Sequence, residues 1–242
     1  MNLNAMLKGF RLWRAGNVIC QGSVSLLLMM LVSGQAQASL ILDQNRVVLS
    51  ANEGGMGVVK VDNPTDRDYL IQSWITTDNN GVQEALFVQP PLVKIKAHQK
   101  VALHIEAIDS SLAEQPQEQL YRLNVKEIPK VEEKSGSQLI LVMLTKVKIL
   151  YRPAAVSPEM GNQYKKLTWK KAAGKLQVYN PTPYYVTFSK VWEGNDTAHA
   201  LDADMVSPHS TMLIKGYHGA SDINYRIIND YGDISMPVHV KL

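Results

Sequence analysis

Short apolar runs that alternate with polar residues follow one another along the chain. "RVVLS" (46–50), "GVVKVDN" (57–63), "YLIQSWIT" (69–76), "LVKIK" (92–96), "VALHIEAI" (101–108) and "LYRLNVKEI" (120–128) are rich in β-branched and aromatic residues. Most repeat with a period of two, which puts one face of an extended strand against a core and the other in water. The runs are separated by "NEGG", "NPTD", "DNNG" and "AHQK", and Asn80-Gly81 is a strong tight-turn signal. Past the first 38 residues no sustained 3.6-residue period appears, apart from a possible short turn near "DSSLAEQPQEQ" (109–119). The pattern predicts an all-β chain.

A weak internal echo divides it. "VDNPTDRDYLIQSW" (61–74) and "VYNPTPYYVTFSKVW" (178–192) share a strand end, Asn-Pro-Thr, and a strand closing in Trp. A turn followed by a Trp-bearing strand suits an immunoglobulin-like sandwich, where the indole fills the gap between sheets. Two copies predict two tandem sandwiches, one over 39–155 and one over 160–242. The Pro- and Gly-containing stretch "RPAAVSPEMGN" (152–162) separates them.

One stretch breaks the alternation. In "QLILVMLTKVKILYRP" (138–153) Leu139, Leu141 and Met143 share one face of a strand, and Ile140, Val142 and Leu144 the other. A strand over 138–150 that is apolar on both sides can bury one face in its own sandwich; the other needs a partner. At a sheet edge its unpaired N–H and C=O groups would also template strand addition. Lys146 and Lys148 on the even face read, from composition alone, as charges that guard such an edge.

The first 38 residues carry Lys8, Arg11 and Arg14, no acid, an apolar core at Ser23–Val32, and then Ala36 and Ala38. That is the layout of an export signal cut between Ala38 and Ser39, with a core shorter than the ~20 residues that span a bilayer. The loss of three cations from 25 Lys+Arg leaves as many basic as the 22 acidic residues. Zero net charge points away from nucleic acid or an anionic membrane as partner. The lone Cys20 leaves with the signal, so no disulfide can staple the remainder.

Little in the sequence invites catalysis. His98, His104, His199, His209, His218 and His239 are scattered, and neither a Gly-x-Ser-x-Gly elbow nor a glycine-rich phosphate loop occurs. "DNPTDRD" (62–68) has three acids, but Pro64 and a missing glutamate at the twelfth position spoil it as a calcium loop. No metal, cofactor or enzymatic activity is expected. A chain that itself receives strands would present an exchangeable N-terminal extension, whereas here Ser39 leads almost directly into a strand.

Several runs together resemble the PapD-like periplasmic pilus chaperones: "LDQNRVVLS" (42–50), "LNVKEIP" (123–129), "TKVKILYRPAAV" (145–156), "YNPTPYYVTF" (179–188) and "IINDYG" (227–232). The resemblance implies two immunoglobulin-like domains in a boomerang, and a donated strand that completes pilin subunits lacking their own last strand. It matches Leu139, Leu141 and Met143 to the donated apolar row. It matches Arg46 and Lys148 to the pair that grips the subunit's C-terminal carboxylate, and Glu118, Arg152 and Asp230 to a trio joining the domains. As an ordinary partly exposed salt bridge that trio would be worth about 0–1 kcal/mol. The short stretch Lys130–Gln138 is similar to the short-loop branch of the family. Delivery to an outer-membrane usher, a periplasmic location and self-association of the unloaded protein are further implications.

Overall fold

The computed structural model describes residues 40–130, 139–156, 158–172 and 174–242. The expected export signal and the short-loop stretch 131–138 fall outside these residues, as does Gln138 at the head of the expected strand.

The first half contains β1 (Ile41–Leu42), β2 (Arg46–Ser50), β3 (Met56–Asp62), β4 (Tyr69–Thr77), β5 (Leu86–Gln89), β6 (Leu92–Ile95), β7 (Lys100–Ala107), β8 (Gln119–Pro129) and β9 (Met143–Arg152). They form a four-stranded sheet, β1-β3-β7-β5, and a five-stranded sheet, β2-β9-β8-β4-β6. The alternation read from the sequence is what packs them. Val47 and Leu49, Val59 and Val61, Leu103 and Ile105, Leu123 and Val125, and Val147 and Ile149 all point into one core. The two sheets approach so closely at Gly57 that a Cβ there would lie 2.6 Å from Leu49 Cδ2.

The second half contains β10 (Thr168–Ala172), β11 (Lys175–Tyr179), β12 (Val186–Glu193), β13 (Met205–Val206), β14 (Thr211–Ile214), β15 (Asp222–Ile228) and β16 (Val238–Lys241). These make sheets β10-β11-β14 and β13-β12-β15-β16 around a separate core. That core centres on Trp169, Phe188 and Tyr225, whose ring centroids lie 5.4–5.9 Å apart. The chain is all-β with two immunoglobulin-like sandwiches. Among the described residues only short 3-10 turns interrupt the strands, one of them Ser110–Glu114 within the segment expected to turn.

The echoed turns share their chemistry. Asn63 and Asn180 are both fully buried. Asn63 Oδ1 accepts from the N–H and hydroxyl of Thr65, and its amide donates to Arg67 O and Lys96 O. Asn180 Oδ1 accepts from the N–H and hydroxyl of Thr182, and its amide donates to Tyr184 O and Ser207 O. Each asparagine ties its own turn to a neighbouring strand end, and so satisfies backbone groups that burial would otherwise strand.

The echoed tryptophans do not fill the cores. On β4 the inward residues are Ile71, Ser73 and Ile75, which leaves Trp74 half-buried on the opposite face. On β12 an irregularity between Phe188 and Lys190 shifts the alternation, so Val191 turns inward. Trp192 sits instead beside the Lys190 and Arg226 cations, at 6.0 and 5.9 Å. The indole in the second core is Trp169.

Candidate functional site

Two strand pairings define an unfinished edge. β8 runs antiparallel along β9 from Gln119↔Tyr151 to Glu127↔Met143. On the other side β2 is parallel to β9, but only from Arg46↔Lys148 to Ser50↔Arg152. Among the described residues, Met143–Val147 therefore have a hydrogen-bonding neighbour on one side alone.

The strand expected over 138–150 differs from this in two ways. It starts at Met143, because pairing with β8 ends at Glu127 and Pro129 has no N–H to extend the ladder. Leu139–Val142 belong to no strand. Nor does either face of the apolar segment bury at home: Leu139, Leu141 and Met143 are 87%, 71% and 53% exposed, and Ile140, Val142 and Leu144 are each close to half exposed. Burial begins at Val147. The odd-numbered row that carries Leu139, Leu141 and Met143 is the one that continues inward as Val147, Ile149 and Tyr151. The segment is an extension of the core face that projects past the sandwich.

The free edge opens into a cleft of about 820 Å³, lined by Leu40–Arg46, Thr145–Val147 and Asp230–Asp233. Arg46 and Lys148 stand opposite each other in register where β2 takes over as neighbour. Arg46 is buried; one terminal N–H donates to Ile228 O at 3.1 Å, while its buried Nε has no partner among the described residues. Lys148 is mostly buried as well, which sets it apart from an exposed edge guard, and its Nζ lies 3.5 Å from Asp204 Oδ1. Lys146, by contrast, reaches outward to Asn80 Oδ1 at 2.6 Å.

Burial lowers the Arg46 pKa from its ordinary value, with Asp230 and Glu118 pulling the other way. Lys148 is lowered for the same reason, opposed by Asp204 and reinforced by Arg122 and Arg46. Two desolvated cations side by side, one with an unused donor, form a site that a carboxylate would satisfy. Asp204 was not legible from sequence: it lies 56 positions from Lys148, in a segment with no motif. Arg122, which pairs in register with Lys148 and is held by Asp78 at 2.6 Å, was equally hidden.

Glu118, Arg152 and Asp230 come together behind this pair. Arg152 Nε donates to Glu118 Oε1 at 2.7 Å, and its two terminal nitrogens donate to Asp230 Oδ2 and Oδ1 at 2.9 and 2.6 Å. Glu118 Oε2 accepts from Tyr185 N at 2.7 Å, Asp230 Oδ2 accepts from Met160 N at 3.1 Å, and Arg152 also donates to Pro158 O. The guanidinium carbon sits 5.1 Å from the centroid of the Tyr184 ring. With Arg152 and Glu118 at 1% and 0% exposure, the small value of a surface salt bridge does not apply. Burial pushes the Glu118 carboxyl up to about 7, against the pull of Arg152 and the Tyr185 N–H. Burial also disfavours the Arg152 cation, but its bonds to Asp230 and Glu118 outweigh that and hold it above its ordinary value. The cluster fixes β9 against the second sandwich at the root of the cleft.

Among the described residues no group of three or more His, Cys, Asp or Glu side chains could hold a metal ion, and no helix is long and apolar enough to cross a membrane.

Two family models match the chain: "Pili and flagellar-assembly chaperone, PapD N-terminal domain" over residues 39–157, and "Pili assembly chaperone PapD, C-terminal domain" over 162–238. Chaperone protein FimC of Escherichia coli is 32% identical over 216 residues, 88% of each chain. Chaperone protein PmfD of Proteus mirabilis is 33% identical over 218 residues, 86% of this chain and 85% of its own. Among solved structures, the complex of the Salmonella enterica SafA pilin with the SafB chaperone superposes with a TM-score of 0.74 at 28% identity, covering 84% of this chain and 96% of the other.

Proposed function

The chain belongs to the PapD family of pili-assembly chaperones, a non-enzymatic family, and from that premise we propose that it captures pilus subunits by adding its own β9 edge to their incomplete fold. The observation that carries this reading is the one-sided pairing of Met143–Val147, which ends at the Arg46–Lys148 pair. A subunit strand laid along that edge completes the ladder, and its terminal carboxylate reaches the two cations and displaces Asp204 from Lys148.

Magnitudes divide the work. Burying Leu139, Leu141 and Met143 in a subunit groove contributes roughly 1.5–3 kcal/mol each. Ordering Leu139–Val142 into a strand costs about 1–2 kcal/mol of backbone entropy per residue. These terms nearly offset, so the new main-chain hydrogen bonds and the carboxylate contact, about 1.5–3 kcal/mol before desolvation, decide the balance. The anchor also fixes position. A slip by one residue would turn every donor side chain to the wrong face, and a carboxylate held at Arg46 and Lys148 forbids it.

Placement in the periplasm, export by cleavage between Ala38 and Ser39, short-loop membership and hand-over to an outer-membrane usher complete the reading. The signal-like layout of residues 1–38 and the short Lys130–Gln138 stretch support the export and short-loop readings, and membership of the family supports the periplasmic and usher readings. Self-association of the unloaded protein follows from the apolar edge: a second copy paired there would cover Leu139–Leu144. Leu141→Glu tests the donor role. We expect the variant to fold, with both cations intact, yet to fail to co-purify with a pilin in equal ratio. Normal pilus assembly in this variant would remove strand donation from the account.

A further inference from the structure

The chain has no acidic residue between Glu159 and Glu193, and within that interval Lys165, Lys166, Lys170, Lys171 and Lys175 cluster. The fold gathers them with Lys215 at the β10-β11-β14 sheet, where Lys170 and Lys175 lie on the outward rows while Lys171, across from buried Leu176, follows the inward row. Lys165 and Lys166 end the 3-10 turn Gln163–Lys166 that leads into β10. Lys170 and Lys171 lie on β10, Lys175 opens β11, and Lys215 follows β14. All six are exposed. Among the described residues the first five form no ion pair, and Lys215 has only Asp202 at 3.9 Å.

The outward rows of this sheet carry more than charge. Thr168 pairs with Tyr179 and Tyr179 with Thr211; Lys170 pairs with Gln177 and Gln177 with Leu213. Tyr179 and Leu213 are 41% and 42% exposed, so an aromatic and an aliphatic side chain stand among the lysines. Protection of open strand edges would account for Lys170 and Lys171 on β10 and for Lys215 beside β14, since these are the two outer strands of the sheet. It does not account for Lys165, Lys166 or Lys175, which lie on neither outer strand.

We propose that this face docks on an anionic phospholipid surface. Charge complementarity and the side-chain types select that occupant. Every cation is a lysine, a flexible point charge; none is the planar arginine fork that an acidic peptide or a discrete phosphate site favours. Lysines spread over a sheet face suit a diffuse field, and an exposed Tyr and Leu between them suit the headgroup boundary, where amphipathic side chains settle. Zero net charge over the region after the signal does not oppose this, because attraction to a charged surface falls off within a Debye length of about 8–10 Å and only the facing side counts. The surface is separate from the cleft, so a chaperone could meet subunits at a membrane while keeping β9 free.

Vesicle flotation of the exported chain tests this, with phosphatidylethanolamine–phosphatidylglycerol vesicles against vesicles of phosphatidylethanolamine and phosphatidylcholine. Each lysine near an anionic bilayer strengthens binding roughly fivefold. The variant Lys170→Ala/Lys175→Ala/Lys215→Ala should therefore lose about 100-fold in binding to the anionic vesicles, while pilin capture stays unchanged. Wild-type binding should also fall with added salt. Equal binding to both vesicle types, or an undiminished triple variant, would overturn the proposal. So would retention on polyglutamate without binding to anionic vesicles, which would reassign the face to an acidic protein.

Discussion

Arg152→Ala should lower the stability of the protein by about 3–5 kcal/mol, the cost of removing one member of a buried ionic cluster. The large figure follows from what remains. Glu118 has no exposed surface, and Asp230 would lose two charge-assisted hydrogen bonds at once. Tyr184 would lose the cation beside its ring, and Pro158 O its donor. Urea denaturation followed by tryptophan fluorescence reads the loss. The comparison that isolates the charge is Glu118→Gln/Arg152→Met, which removes both of these ionic partners and should recover part of the stability. A fall of less than about 1 kcal/mol in Arg152→Ala would mean that the cluster is no more than a surface pair.

Arg46→Ala and Lys148→Ala should each abolish measurable subunit capture while leaving the circular dichroism spectrum unchanged. Loss of a charge-assisted contact worth about 1.5–3 kcal/mol weakens binding roughly 10- to 150-fold, before any loss of register. Neither side chain contributes to the apolar cores. Among the described residues the Arg46 side chain makes one hydrogen bond, to Ile228 O, and the Lys148 side chain one long ion pair, to Asp204. The fold has little to lose by their removal. Protection of a pilin from proteolysis distinguishes the outcomes: wild-type protection by either variant would show that the carboxylate anchor is not needed.

The two sandwiches were legible because period-two alternation and Asn-Pro-Thr turns are local signals. Asn63 and Asn180 make equivalent bonds in both halves, and the sequence echo therefore reported shared chemistry. Tryptophan orientation was not legible. A shift of one residue on β12 inverts inside and outside, and no propensity marks where it falls. The apolar run 139–144 was visible as an anomaly, yet its two exposed faces follow from where β8 stops pairing and where β2 begins, both set by distant residues. The burial of Arg152 and Lys148, and the presence of Asp204 opposite Lys148, likewise depend on the second sandwich meeting β9. Net charge hid the lysine face, because a sum over residues discards position.

A crystal structure of the chain bound to a pilin measures the central claim directly. The account predicts a subunit strand hydrogen-bonded along Met143–Val147, its apolar groove filled by Leu139, Leu141 and Met143, and its terminal carboxylate within hydrogen-bond distance of Arg46 and Lys148. A guest seated on another face, with its last residue remote from those two cations, would contradict it.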